Sequence, residues 1–290
     1  MMIYGYPNVG HSLLAWARCT VWCSKNKATM LGPIWLRPRI GSYLRGERDK
    51  REYFRLFTNR HYPNRFLRTR LLLTGHKVPA EAQMPIEEMG DGTVVVFTNR
   101  YERNFENHFH EIVGYHEMLL GALQKITRQQ YLPQPTGSPP FLAIHVRMGD
   151  FQPFDPNAAA KGTHNLQLPL EWYQEALAEL RNALVQDLPA RVYSDGTDAD
   201  LKPLLAMPGV ERAANGSAIT HLLEMTQAAG LIAAGSGFSY WSSFLGQVPR
   251  IVFPGQGFEE VENPMPTTCW SSQTTDGLDS SITHLIESRI

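Results

Sequence analysis

From Phe141 onward, short β-rich runs alternate with helical patterns, and this alternation limits the possible folds more than any other feature. Residues 168–186 place leucines and a tyrosine at helical spacing, which is typical of an amphipathic helix. Alternating strands and helices predict a parallel sheet covered by helices on both faces. Strands are predicted at 141–146, 191–194, 231–234 and 250–253, and further helices at 198–206, 219–229 and 239–246.

The first half of the chain is less regular. Its sequence predicts helices over 9–25 and 104–130 and a strand at 94–97. Residues 132–140 contain four prolines, a glycine and a serine, a composition typical of a linker. We therefore expect an N-terminal domain at 1–131, a linker at 132–140 and a C-terminal domain at 141–290.

Composition excludes several functional classes. With 43% hydrophobic and 19% charged residues, the chain is typical of a globular protein. A formal net charge of -1 gives no electrostatic bias toward nucleic acid. No apolar stretch is long enough to cross a bilayer, and the start lacks the pattern of a secretion signal. Cys19, Cys23 and Cys269 cannot all pair, so we expect a reduced, cytoplasmic setting.

Between Arg37 and Arg70 the chain is rich in arginine interleaved with tyrosine and phenylalanine. The simplest interpretation is a solvated surface whose long side chains cover apolar neighbours. The alternative is peripheral contact with an anionic partner, such as a lipid-linked acceptor or a membrane surface.

The sharpest local pattern is the hexapeptide from His145 to Asp150, His-Val-Arg-Met-Gly-Asp, which directly follows a predicted buried strand. Ligands of open α/β sheets bind at this carboxyl edge. Arg147 can fork onto phosphate oxygens, and Gly149 allows a sharp turn. The alternative is that Arg147 pairs with a nearby carboxylate.

A second pattern, residues 234–245, places a small-residue turn between a strand and a helix that begins near several serines. The free amides and dipole of such a helix start can bind an anion. Tyr240 stands where a dinucleotide fingerprint needs its third glycine, and Ala234 and Phe238 flank Ser236 where a hydrolase elbow needs glycines. An ordinary capped helix start is the alternative.

Acidic and histidine clusters give weaker signals. Asp198 and Asp200 form a DxD-like pair of the kind that holds a divalent ion against a diphosphate, but we favour Asp198 as a helix cap. On the predicted long helix, the metalloprotease spacing from His110 leads to Gly114 rather than histidine. We therefore expect no metal site.

Three of these patterns together resemble the GDP-fucose-dependent fucosyltransferases, the α-1,2 branch especially. The segment from His145 to Asp150 is similar to the HxRxGD signature of that family. His164 and residues 168–173 resemble the stretch that follows it, Ser194-Asp195 resembles a Ser-Asp-Asp segment, and residues 236–245 resemble SxFSWWxxWL. Near the start, Gly10-His11 stands where the family has Gly-Asn.

The resemblance implies a GT-B architecture, with two Rossmann-like domains of parallel strands and a cleft between them. It implies transfer of fucose from GDP-fucose to a glycan hydroxyl with inversion, in an α-1,2 linkage and without a metal. The residues that it implies for the donor are Arg147 and His145 at the diphosphate, Asp195 near the nucleoside, and Ser236, Phe238, Ser239 and Tyr240 at the helix that receives a phosphate.

The resemblance leaves the acceptor side open. Candidate bases for the acceptor proton are Asp150, His11 and the glutamates of 102–117. Met148 replaces the family's second arginine, and His11 replaces its asparagine. Two alternatives therefore remain: a carbohydrate- or nucleotide-binding module without activity, and a metal-dependent transferase with another donor.

Overall fold

The computed structural model describes residues 9–33, 55–63, 65–97, 109–134, 139–149, 151–257, 265–272 and 277–290, without the side chains of 9–12 and 81. The chain divides into two compact units, Met1–Tyr131 and Leu132–Ile290.

The first described element of the N-terminal unit is helix α1, Val9–Lys25, which has the predicted bounds. Its predicted apolar side is buried, since Leu13, Leu14, Trp16 and Ala17 are at most 5% exposed. Two short strands pair in parallel, with His76 opposite Thr93. Among the described residues of this unit, the further helices are α2 Arg65–Thr74 and α3 His116–Ile126, and the two strands are β1 His76–Pro79 and β2 Thr93–Val96.

The prediction of one long helix over 104–130 is wrong where the structure describes the chain. Helix α3 occupies only His116–Ile126, and a separate 3₁₀ turn covers His110–Ile112. Gly114 lies between them at φ +80, a left-handed conformation that interrupts a right-handed helix. After α3, Thr127 forms an antiparallel bridge with Phe57. Residues 98–108 lie outside the described chain.

The described residues of the C-terminal unit form a sheet of six parallel strands, which confirms the predicted α/β class. Their order is β5-β4-β3-β6-β7-β8. Counted along this unit, the order is 3-2-1-4-5-6, that of dinucleotide-binding sheets, and it reverses between β3 and β6. The strands are β3 Leu142–Val146, β4 Ala190–Ser194, β5 Val210–Arg212, β6 Gly230–Ala233, β7 Arg250–Val252 and β8 Thr267–Cys269. The helices are α4 Pro156–Ala160, α5 Leu170–Ala183, α6 Lys202–Leu205, α7 Ala218–Met225, α8 Gly237–Gly246 and α9 Ser280–Glu287.

Both faces of this sheet are covered, as parallel sheets require. On one face, Leu142 and Ile144 of β3 pack in a cluster with Tyr173 and Leu177 of α5. On the other face, Ala143 packs with Leu231 and with residues at the end of α7. Successive side chains of β3 alternate between the two clusters, so its register also fixes the face of His145.

Sequence patterns missed the strands β1, β5 and β8. Each has three or four residues, and β5 and β8 form the two edges of the large sheet. Their polar residues, such as Glu211 and Thr267, break the apolar runs by which buried strands are recognised.

No helix in the described parts of the chain is long and apolar enough to cross a membrane. Cys19, Cys23 and Cys269 are free thiols.

Candidate functional site

The carboxyl ends of β3, β4 and β6 meet where the strand order reverses, which is the position at which open α/β sheets gather ligands. His145 pairs with Tyr193 on one side and with Ala233 on the other. The hexapeptide that begins at His145, the Ser194-Asp195 segment and the segment that begins at Ala234 therefore lie at adjacent strand ends.

His145 joins β3 to the first turn of α8. Its Nδ1 lies 2.5 Å from Ser239 Oγ, and its ring centroid lies 5.2 Å from that of Phe238. Burial, helped by the charges of Arg147 and His221, lowers the pKa of His145 to about 3. The imidazole is therefore neutral at physiological pH, and it supplies a hydrogen bond here rather than a positive charge.

Arg147 forms an ion pair across the ends of β3 and β4. Its Nη1 lies 2.6 Å from Asp195 Oδ2, and the side chains are 23% and 20% exposed. Asp195 Oδ1 also accepts a hydrogen bond from the Met148 amide at 2.9 Å. One carboxylate therefore fixes both the guanidinium and the backbone that follows it.

The loop after β3 is also constrained by Gly149 and Gln167. A Cβ on Gly149 would collide with Asp195 Oδ2, so only glycine fits there without movement. Gln167 Nε2 donates to the carbonyls of Met148 at 2.6 Å and Phe151 at 3.0 Å. Sequence reasoning missed Gln167, because its partners lie 16–19 residues away and no local pattern indicates them.

At the start of α8, Ser236 is the N-cap, and its side chain accepts from the Phe238 amide at 3.3 Å. The Tyr240 amide donates to the Ser236 carbonyl at 3.2 Å. Ser239 is fully buried, and its hydroxyl lies against His145. A Cβ on Gly237 would meet nothing within 4 Å, so this side of the helix start is open.

These contacts change which groups of α8 can meet an anion. The Ser239 hydroxyl and the Tyr240 amide already hold partners within the protein, whereas the Ser236 hydroxyl only accepts from the Phe238 amide and keeps its own O–H donor. First-turn amides of a helix have no intrahelical acceptor. The amide of Gly237, a partly exposed residue, is therefore better placed for a ligand than the buried Ser239 hydroxyl or the Tyr240 amide.

Tyr240 packs under a buried arginine. The Arg250 guanidinium carbon lies 3.7 Å from the Tyr240 ring centroid, and Arg250 is 1% exposed. Arg250 Nε also donates to Thr267 Oγ1 at 2.7 Å. The Tyr240 side chain thus links α8 to β7 and, through Arg250, to β8.

The acidic pair is held by neighbouring groups. Asp200 accepts from the amide and hydroxyl of Thr197 at 2.8 and 2.6 Å, which lowers the pKa of its carboxyl. Asp198 Oδ1 lies 2.5 Å from Arg212 Nη1. The expectation that Asp198 caps a helix is wrong, because α6 begins only at Lys202 and has Leu201 at its cap position. Within the described ranges, no three His, Cys, Asp or Glu side chains form a metal-binding group.

The candidate bases are only partly located. His11 lies in α1, but its side chain is outside the description, as is all of Asp150. Of the glutamates in 102–117, Glu102 and Glu106 are also outside it. Glu111 accepts from Arg18 Nε and Nη2 at 2.5 and 2.8 Å, and Glu117 lies in the first turn of α3.

No family model matches this chain, and no curated protein matches it. Among solved structures, one of NodZ α-1,6-fucosyltransferase soaked with GDP-fucose is similar, with 13% identity and a TM-score of 0.45, over 87% of this chain and 94% of that chain. A selenomethionine structure of fucosyltransferase NodZ from Bradyrhizobium has 13% identity and a TM-score of 0.42, over 91% and 95% of the two chains. At this identity and these TM-scores the likeness is distant.

The buried His145 predicts a specific loss of stability in acid. Its pKa is about 3 in the folded protein against 6.5 as the reference, so the folded state binds fewer protons between these values. Its stabilising contribution is complete above pH 6.5 and falls as the pH drops toward 3, by up to about 1.4 kcal/mol per pH unit.

Denaturant unfolding of the wild type and of His145→Asn between pH 7 and pH 5 measures this contribution. The wild type is expected to lose more stability over the range than the variant, which lacks the titrating ring. Equal pH slopes for the two proteins would show that His145 titrates normally.

Proposed function

We propose that the chain is a glycosyltransferase that transfers fucose from GDP-fucose to a hydroxyl of a glycan acceptor. The observation that carries this proposal is the hydrogen bond between His145 and Ser239, which joins the end of β3 to the start of α8. Arg147 follows His145 by two residues, so a cationic side chain and a helix N-terminus lie at the same edge of the sheet. This combination suits a diphosphate.

In the proposed complex, the Gly237 amide in the first turn of α8 receives one phosphate. The Arg147 guanidinium contacts the diphosphate while it keeps its pair with Asp195, since a guanidinium carries five N–H donors in a planar fork. Asp195 then acts as a positioning residue that holds the fork in place. Contact of Asp195 with the nucleoside, which the family resemblance implies, remains a prediction.

Transfer is proposed as a direct displacement with inversion. The acceptor oxygen forms a bond to the anomeric carbon as the bond from that carbon to the phosphate oxygen breaks, and the electron pair leaves with GDP. The negative charge that grows on the departing diphosphate is stabilised by Arg147 and by the α8 dipole. Neutral His145 contributes by fixing α8 against β3.

The acceptor proton goes to a base, for which Asp150 and His11 stay the candidates. Glu111 is disfavoured, because it already accepts two hydrogen bonds from Arg18. The α-1,2 linkage and a cytoplasmic location are also proposed, the linkage on the motif resemblance alone. An oligosaccharide or a lipid-linked glycan fits the acceptor role.

Release of GDP from GDP-fucose in the presence of a panel of oligosaccharide acceptors tests the proposed reaction. We expect release that depends on the acceptor and yields a fucosylated product by mass spectrometry. Tight binding of GDP-fucose without release of GDP in the presence of any acceptor would instead support a nucleotide-binding module.

We predict that transfer continues in excess EDTA. Asp198 pairs with Arg212, and Asp200 accepts from Thr197. The proposed diphosphate contacts use neither carboxylate and include no metal ion. The variant Asp198→Asn/Asp200→Asn should retain near-normal turnover. Activity that vanishes with EDTA and returns with manganese would replace this proposal with the metal-dependent transferase.

Arg147 is the residue on which donor binding should depend most. A charge-assisted contact to phosphate contributes about 1.5–3 kcal/mol, so Arg147→Ala should weaken GDP binding about tenfold or more. Turnover should fall further, on the order of a hundredfold, because the leaving-group charge grows in the transition state. Arg147→Lys should be impaired nearly as much, since lysine keeps the charge but loses the fork.

Arg191 is a matched control for these variants. It lies near the start of β4, pairs with Glu211 at 3.0 Å and is 28% exposed. Its guanidinium also lies over an aromatic ring, that of Phe141, as Arg147 lies over Phe151. Arg191→Lys should leave GDP affinity unchanged. If Arg147→Ala lowers the melting temperature but not the GDP affinity by calorimetry, Arg147 is structural.

A further inference from the structure

Helix α2 of the N-terminal unit presents large apolar side chains to solvent. None of its ten residues is buried, and Phe66 and Leu73 are 87% and 78% exposed. These two residues are seven positions apart, so they lie about 20° apart around the helix axis and form one stripe. Burying a phenylalanine or leucine side chain away from water is stabilising, and this fold does not bury these two.

Arginines flank this stripe. Around the helix, Arg70 lies about 40° to one side of Phe66 and Arg65 about 100° to the other. Both are exposed, while Arg68 is half-buried on the opposite face. The ten residues of α2 contain three arginines and no acidic residue, although the whole chain carries a formal charge of -1.

This arrangement matches the chemistry of an anionic bilayer surface. A helix that lies in the interface places its apolar stripe at the boundary of headgroups and acyl chains. Basic residues beside the stripe then reach lipid phosphates, and each contributes through the negative surface potential. At ten residues α2 is about 15 Å long, which suits lying on a bilayer rather than crossing it.

We propose that α2 docks the N-terminal unit onto an anionic lipid surface, with Phe66 and Leu73 inserted and Arg65 and Arg70 at the phosphates. We favour a lipid surface over an acidic protein segment as the binding partner. Both basic residues flank an apolar stripe, and a lipid surface accommodates such a stripe without a complementary shape. The inference does not depend on the proposed transferase activity.

Co-sedimentation of the full chain with vesicles tests the proposal. One set is phosphatidylcholine alone and the other is phosphatidylcholine mixed with phosphatidylglycerol. The wild type should bind the anionic vesicles and dissociate as salt rises. Phe66→Ser/Leu73→Ser should abolish this binding, and Arg65→Gln/Arg70→Gln should weaken it about 25-fold, at roughly fivefold for each charge.

Exposed residues of the C-terminal unit provide the controls. Val185 is 95% exposed and Lys202 is also exposed, so Val185→Ser and Lys202→Gln should bind vesicles as the wild type does. Far-ultraviolet circular dichroism checks that each variant is folded. The proposal is overturned if the wild type does not bind anionic vesicles. It is also overturned if the control variants lose as much vesicle binding as the α2 variants.

Size-exclusion chromatography with light scattering gives a further decisive outcome. If the wild type is a dimer that Phe66→Ser/Leu73→Ser converts to a monomer, and vesicles bind neither, the stripe is a protein interface and the lipid proposal is wrong. A wild type whose oligomeric state is unchanged by the variant, together with the vesicle result above, supports lipid docking.

Discussion

The parallel pairing of β3 with both β4 and β6 is the constraint on which the candidate site depends. It places β3 at the reversal of strand order, so the chain leaving β3 lies between two other strand ends. The alternation of β3 buries Ile144 and Val146 against one helical layer and turns His145 toward the other, where Ser239 of α8 meets it. A slip of one residue in this register would move His145 into the wrong layer and break that contact.

At the end of β3, a neutral side chain and a charged side chain lie two residues apart, at His145 and Arg147. Burial keeps His145 neutral, so it can remain packed inside without an uncompensated charge. Arg147 is partly exposed and paired with Asp195, which offsets its charge while no ligand is bound and holds its fork in place. In the proposed complex, the diphosphate would meet donors that are already fixed, so little reorganisation is needed, as in other preorganised sites.

Sequence patterns predicted the α/β class, the bounds of α1 and the strand ends around Arg147. These features were predictable because apolar runs and helical spacing reflect local burial. The two interpretations of Arg147, phosphate ligand or carboxylate partner, are compatible, since the structure pairs it with Asp195. Long-range partners such as Gln167 and Arg212 were not predictable, because their bonds join segments that only the fold brings together. The helix break at Gly114 was missed because a lone glycine is tolerated in many helices.

The proposed function requires that a nucleotide diphosphate binds where β3 and β6 meet α8. A crystal structure of the chain with GDP tests it most directly. We expect diphosphate oxygens within hydrogen-bond distance of the Gly237 amide and of the Arg147 guanidinium, with His145 still against Ser239. A diphosphate bound instead at Asp198 and Asp200 through a metal ion, or away from the carboxyl edge of the sheet, would contradict it.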